Sequence, residues 1–159
     1  RELRPFLESS QRLYGLNLER AVLEDLDLSG KRIRCSTLSR ARLHRLRFDG
    51  ARIRLLFLDF ASLSDCSFTG CQINCLVLGG AELEECTFRN SEVLRCSFVG
   101  ARCRKVTFDG SDLYASRFIG ARLEGCSLRD CNLKRARFEQ ATLSDVDFRA
   151  SNTAEAYFT

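Results

Sequence analysis

A hydrophobic residue recurs at every fifth position of this chain from Leu13 to Phe158, with Thr153 as the one exception. An amphipathic helix repeats every 3.6 residues and a strand every two, so neither keeps a five-residue phase over such a distance. The position two before each central residue is usually small or apolar, and its two immediate neighbours are mostly polar. The pattern predicts short β segments that turn every five residues, with the central and small residues pointing inward.

The fifth residue of each segment is predicted to form a corner, because glycine is frequent there and tolerates the backbone angles of a turn. Alanine recurs at the inward small position every 20 residues, from Ala21 to Ala141. A chain that returns to the same side after four segments forms a square coil. At a strand spacing of about 4.8 Å, residues 11–159 are expected to stack into about seven and a half coils.

The segments ARLEG at 121–125, CNLKR at 131–135 and ATLSD at 141–145 resemble the A(D/N)LXX unit of pentapeptide repeat proteins. The resemblance covers nearly all of residues 11–159 and implies an all-β fold, the right-handed quadrilateral β-helix. Members of that family include bacterial proteins that protect DNA gyrase by mimicking DNA, secreted effectors and proteins of other roles. The resemblance therefore implies a fold, and leaves several functions open.

The two ends of the chain differ. Residues 1–10 break the repeat and are predicted to cap the first coil, and residues 11–159 are predicted to form the β-helix. The C-terminal coil end is expected to be covered by a partner, a second copy or a further segment. A chain that opens at Arg1 and has no methionine is interpreted as a processed chain or as part of a longer one.

Nine cysteines occur, and most of them fall on inward positions. The inward cysteines are Cys66, Cys71, Cys86, Cys96, Cys103, Cys126 and Cys131, whereas Cys35 and Cys75 fall on corners. Buried free cysteines behave as small hydrophobic residues, so reduced thiols in a reducing compartment are expected. That compartment is expected to be the cytoplasm, with delivery into a host cytosol as an alternative. Even the apolar run Leu55–Leu58 ends at Asp59, so no membrane-spanning segment is predicted.

No motif in the sequence points to catalysis, a cofactor or a metal site. Phosphate-binding loops, nucleophile elbows and closely paired cysteine ligands are all absent from the sequence. His44, the only histidine, is predicted to be an ordinary exposed residue between Arg42 and Arg45. Lys31 falls on an inward position, and its stem is expected to reach out to solvent. The chain is predicted not to be an enzyme.

Residues 31–54 contain nine Lys or Arg and one acidic residue. The arginines of this segment, called the basic belt, are Arg32, Arg34, Arg40, Arg42, Arg45, Arg47, Arg52 and Arg54. By the five-residue phase they fall on all four sides of the coil, without interleaved aromatic residues. Nucleic-acid binding is therefore disfavoured. The basic net charge of +4 likewise disfavours gyrase protection by DNA mimicry, which needs an acidic surface.

The side centred on Leu38, Leu58 and Leu78, called side two, is predicted to carry apolar residues on its outer surface. This apolar patch is Phe57, Phe60, Val77, Val99 and Ile119, bordered by Leu55 and Leu94. No Lys or Arg occurs from residue 55 to residue 79. A contiguous apolar surface of a few hundred Å² marks an interaction site. The sequence thus predicts a non-enzymatic binding module for a protein partner or a second copy, with a DNA-mimicking topoisomerase regulator, a secreted bacterial effector domain or a structural spacer as alternatives.

Overall fold

The computed structural model describes residues 3–159, which form one short helix and an all-β parallel solenoid of about seven turns. The helix α1 spans Leu3–Ser9. The strands are β1 (Arg12–Tyr14), β2 (Val22–Glu24), β3 (Arg32–Thr37), β4 (Arg42–His44), β5 (Arg52–Phe57), β6 (Ser62–Ser64), β7 (Gln72–Val77), β8 (Glu82–Glu84), β9 (Glu92–Leu94), β10 (Arg102–Arg104), β11 (Arg122–Glu124) and β12 (Thr142–Ser144).

The strands pair in parallel with partners 20 residues away. Strands β1, β3, β5, β7 and β9 form the sheet of side one, in which Ile33 pairs with Ile53. Strands β2, β4, β6, β8, β10, β11 and β12 form the sheet of side three, in which Leu43 pairs with Leu63. Single parallel bridges continue the ladder on side two, between residues 17 and 157, and on side four, between residues 27 and 147. The predicted 20-residue coil with four sides is confirmed.

A left-handed backbone marks every corner. Each fifth residue from Gly15 to Glu155 has a positive φ, between 50° and 76°. Glycine adopts this conformation at little steric cost, but many corners carry side chains, including Leu55 and Phe60 with φ of 60°. Hydrogen bonds between coils hold these corners in place, since Phe60 N donates to Gly79 O at 2.9 Å.

The central and small residues form one continuous core. Phe48, Phe68, Phe88 and Phe108 form a stack on side four, with neighbouring ring centroids 4.5 to 5.2 Å apart. A second stack on side two consists of Phe98, Phe118, Phe138 and Phe158. The predicted inward cysteines all lie in this core. Apolar burial between Leu7 and Phe138 is therefore the main stabilising contribution.

Helix α1 packs against the first coil. Leu7 is 1% exposed and belongs to the core. Lys31 does not reach solvent as expected from the sequence, because it is 5% exposed and its Nζ donates to Glu8 O at 2.8 Å and to Ser10 O at 2.7 Å. The free carbonyls at the end of α1 supply acceptors that an isolated coil lacks. Residues 1 and 2 of the predicted cap lie outside the described residues.

Ion pairs connect coils on side four. Asp109 is 8% exposed and accepts hydrogen bonds from Ser127 Oγ at 2.6 Å, Arg129 N at 2.9 Å and Arg129 Nη2 at 3.0 Å. Burial alone raises the pKa of Asp109, but these hydrogen bonds outweigh it and hold the pKa below its ordinary value. Arg129 also lies 3.9 Å from Asp147, whose Oδ2 accepts a hydrogen bond from Arg149 Nη2 at 2.7 Å. The outer surface of this side thus reinforces the ladder.

Candidate functional site

Side two presents its outward side chains in two columns at one-coil spacing. The first column runs Thr37, Phe57, Val77, Ser97, Arg117 and is held in register by parallel bridges. The second column, two residues later along the chain, runs Ser39, Asp59, Gly79, Val99, Ile119. Phe57 is 37% exposed, and Val77, Val99 and Ile119 are half-buried. The structure therefore brings these four residues of the apolar patch onto one side.

Phe60 is the most exposed member of the apolar patch, at 56%. Its ring lies against Gly80, where an added Cβ would stand 2.6 Å from the ring atom Cε1. The Arg40 guanidinium lies 5.0 Å from the ring centroid, within the range of a cation–π contact. Because Gly80 has no side chain, it leaves the space in which this ring lies. Residues 60 and 80 are one coil apart, so the contact could have been predicted from their 20-residue separation.

One acidic residue lies within the apolar patch, and two leucines border it. Asp59 lies beside Phe57 and accepts a hydrogen bond from Ser39 Oγ at 2.7 Å. Leu55 is half-buried at the corner between sides one and two. Leu94 is half-buried on side one, in register with Asn74, and thus borders side two without lying on it.

The basic belt divides into paired and unpaired arginines. Arg45 donates to both carboxylate oxygens of Asp25 at 2.5 and 2.8 Å, and Arg47 lies 3.7 Å from Asp49. The hydrogen bond from Arg45 is the main reason why the pKa of Asp25 is lowered. Arg42 is exposed on side three, whereas Arg32, Arg34, Arg52 and Arg54 are exposed on side one. Sequence reasoning missed these pairs, whose signals are an acidic residue one coil away for Arg45 and one two residues later for Arg47.

His44 is half-buried, unlike the exposed residue predicted from the sequence. Its Nδ1 lies 2.7 Å from Ser64 Oγ, and its Nε2 contacts the Arg45 guanidinium. A guanidinium can only donate, so Nε2 accepts and Nδ1 carries the proton that it donates to Ser64 Oγ. In this tautomer His44 does not activate the Ser64 hydroxyl.

The buried thiols other than that of Cys66 are weaker acids than a free cysteine. Burial raises the pKa of Cys71 and of Cys96 to about 12 and that of Cys131 to about 11. Their Sγ atoms lie near backbone carbonyls, with Cys131 Sγ 3.1 Å from Phe108 O. Cys35 is exposed and Cys75 is half-buried at their corners. Among residues 3–159, no group of three or more His, Cys, Asp or Glu side chains is placed to hold a metal ion.

Within the described part of the chain, no helix has the length and hydrophobicity needed to cross a membrane. The family model for pentapeptide repeats matches residues 96–135, 116–152 and 131–159, with eight copies. The same coil geometry continues upstream through β1–β9. The family model thus confirms over residues 96–159 the resemblance to pentapeptide repeat proteins that was inferred from the sequence. Proteins of this family are generally structural or binding modules.

Several solved structures are similar to this chain. HetL from the cyanobacterium Nostoc sp. strain PCC 7120, a protein involved in heterocyst differentiation regulation, is 18% identical, with 91% of this chain and 84% of HetL covered and a TM-score of 0.31. QnrB1, a plasmid-mediated fluoroquinolone resistance protein, is 14% identical in a trypsin-treated M102R form, with 89% and 90% covered and a TM-score of 0.37. Rfr23 from Cyanothece 51142 is 14% identical, with 91% and 95% covered and a TM-score of 0.30. No curated protein matches the sequence significantly.

Proposed function

We propose that this protein is a non-enzymatic binding module that holds a protein partner on the apolar patch of side two. The observation that carries the proposal is the exposure of Phe57, which pairs with Val77 in the ladder, and of Phe60 at the next corner of the same coil. Single exposed apolar residues are ordinary, but neighbouring ones form a contiguous surface. The partner is expected to present a flat apolar surface of matching size.

The energetics are adequate for a specific contact. Burial of about 400 Å² of this surface contributes on the order of 10 kcal/mol of gross hydrophobic stabilisation. Loss of translational freedom and ordering of side chains consume much of that gain. The ring of Phe60, already placed between Arg40 and Gly80, loses less freedom on binding than a free side chain does. Preorganisation of this kind favours a stable complex.

The charges of the outer surface favour protein binding over DNA mimicry. A DNA mimic needs free carboxylates in a regular row, but several carboxylates of this chain pair with arginine. Glu84 pairs with Arg104, Asp109 with Arg129, and Glu155 with Arg135 at 2.9 Å. Such pairs present little net negative charge to a DNA-binding surface. A topoisomerase partner recognised through an acidic stripe is thus the weaker alternative.

Site-specific photo-crosslinking tests the proposal. A benzophenone amino acid replaces Val77 in one protein and Thr142, an exposed residue on side three, in a control. After illumination in native extract, we expect mass spectrometry to find one dominant protein adduct at position 77 and none at position 142. The adduct must disappear when Phe57→Glu is added, because a buried unpaired charge opposes the contact.

A second variant separates loss of binding from loss of fold. In proteins that keep the benzophenone residue at position 77, Phe57→Glu with Val99→Glu is compared with Ser62→Glu and Thr142→Glu, which place two added negative charges on side three instead. Both proteins are expected to keep the β-solenoid circular dichroism and melting temperature, while only the first loses the adduct. Equal crosslinking at positions 77 and 142, or an adduct that survives Phe57→Glu, contradicts the proposal. Sedimentation velocity then shows whether the partner is a second copy.

A further inference from the structure

Two columns of arginine lie side by side on the outer surface of side one. Parallel pairing places Arg12, Arg32 and Arg52 in one column, and Tyr14, Arg34 and Arg54 in the other. Neighbours in a column are about 4.8 Å apart, and the columns are about 7 Å apart along the strands. Arg32, Arg34, Arg52 and Arg54, called the arginine array, therefore form a compact rectangle of four guanidinium groups.

The arginine array lacks the carboxylate partners that many other arginines of the described residues have, and its one aromatic contact places Arg34 5.6 Å from the centroid of the Tyr14 ring. Within residues 3–159, none of its four guanidinium groups lies in an ion pair or donates a hydrogen bond to the protein, although all four side chains are exposed. By contrast, Arg104 meets Glu84 one coil away. Like charges directly opposite each other in a ladder destabilise a sheet. The array thus carries a cost that a bound anion would remove.

The array ends within a few coils. The four arginines line a shallow groove of about 430 Å³, and Ile53 and Ile73 lie among its lining residues. In the next coil Gln72 and Asn74 stand in register with Arg52 and Arg54, and they offer amide donors in place of charge. One coil further, Glu92 and Leu94 occupy these positions, and neither a carboxylate nor an apolar side chain binds an anion. Three coils span roughly 10 to 15 Å, which suits a short anion and not a long polymer.

We infer that the arginine array is a binding site for a small molecule that carries two or more adjacent phosphate groups. Arginine matches phosphate oxygens with two parallel donors, and its charge persists at all physiological pH values. Adjacent phosphates place several negative charges within a few ångströms of one another, which matches the close spacing of the four guanidinium groups. An acidic peptide fits the array less well. Acidic side chains on one face of an extended peptide are about 7 Å apart, which matches the distance between the two columns but not the spacing of about 4.8 Å within a column.

Inorganic tripolyphosphate serves as the probe, with isothermal titration calorimetry at about 0.15 M salt. We expect a dissociation constant below about 100 μM, and at least about a thirtyfold loss of affinity in the Arg34→Gln, Arg54→Gln double variant. The matched control, Arg42→Gln with Arg122→Gln, removes the same charge from exposed positions of side three and is expected to bind normally. Circular dichroism and thermal melting confirm that both variants fold.

Two further arms identify the source of the phosphates. Sedimentation with phosphatidylcholine vesicles containing phosphatidylinositol bisphosphate tests a lipid headgroup, and a 20-base-pair duplex tests nucleic acid. Binding of tripolyphosphate without vesicle binding supports a soluble ligand, and binding of both supports a lipid. The inference is overturned if tripolyphosphate does not bind, if the control loses as much affinity as the array variant, or if the duplex binds more tightly than tripolyphosphate. None of these results depends on the apolar patch of side two.

Discussion

The rings of Phe98 and Phe108 meet edge to face in the core, with centroids 5.5 Å apart and planes 83° apart. Phe98 belongs to the stack of side two and Phe108 to the stack of side four. Within a stack the ladder spacing makes neighbouring rings nearly parallel, as for Phe98 and Phe118 with planes 5° apart. Both arrangements are favourable for aromatic rings. Contacts between the stacks therefore tie opposite sides of the coil together.

Replacement of Phe108 by alanine is expected to destabilise the protein by about 3 to 5 kcal/mol, because it removes a fully buried ring and leaves a cavity. Phe108→Leu is expected to cost much less, since Leu128 occupies the same inward position one coil later. Urea unfolding followed by circular dichroism measures both. If the alanine variant loses no more stability than the leucine variant, the cavity contributes little, and if the leucine variant is as stable as the wild type, so does the contact between the stacks.

The five-residue phase was sufficient to predict the coil, its corners and its core. Side chains that point inward repeat at a fixed interval, so a position such as Phe108 follows directly from the sequence. Lys31 was placed wrongly with respect to solvent, because its acceptors belong to a helix that breaks the repeat. The contact of the Phe60 ring with Gly80 and the hydrogen bonds of Asp109 with Arg129 were not predicted. Both depend on side-chain rotamers and on residues one coil away.

Stability is expected to fall as the pH drops from about 4 to about 2. Hydrogen bonds from the side chain and backbone of Arg149 lower the pKa of Asp147 from 3.8 to about 2. A carboxyl with a lower pKa in the folded protein stabilises it above its ordinary pKa, and that contribution disappears as the pH falls through the folded value. Asp109, whose pKa is also lowered, acts in the same direction.

The measurement compares the free energy of unfolding of the wild type with that of Asp147→Asn at pH 7, 4 and 2.5. The difference between the two proteins is expected to be largest at pH 7 and to shrink toward pH 2.5. Asp145→Asn, at an exposed corner nearby, is the control for removal of one carboxyl group. A difference that stays constant over this range would show that the Arg149 contact does not titrate.

Two of the nine thiols are expected to react rapidly with a thiol reagent in the folded protein. Cys35 is exposed and Cys75 is half-buried, whereas the other seven are buried and therefore hard for a reagent to reach. Reagent added at pH 8 should count two fast thiols, and addition of denaturant should release the remaining seven. Fewer than about seven free thiols in denaturant without reductant contradicts the expectation of reduced cysteines.

Lys31 is proposed to fasten helix α1 to the first coil. Its ammonium group is buried and donates to Glu8 O, near the end of α1, and to Ser10 O, in the residue that follows α1. Lys31→Met fills a similar volume but leaves both carbonyls without that donor, at a cost of about 2 to 3 kcal/mol. If α1 detaches, Leu7 and the end of the core beneath it become exposed to water.

Hydrogen exchange followed by mass spectrometry localises the effect of Lys31→Met. Faster exchange is expected in residues 3–16, with no change in the coils that follow β5, because each coil contacts only its neighbours. Arg20→Met removes the same charge from an exposed corner near the same end and is expected to leave exchange unaltered. Equal exchange in the two variants would mean that α1 is held by Leu7 and its apolar contacts, and that the buried ammonium group contributes nothing to the attachment.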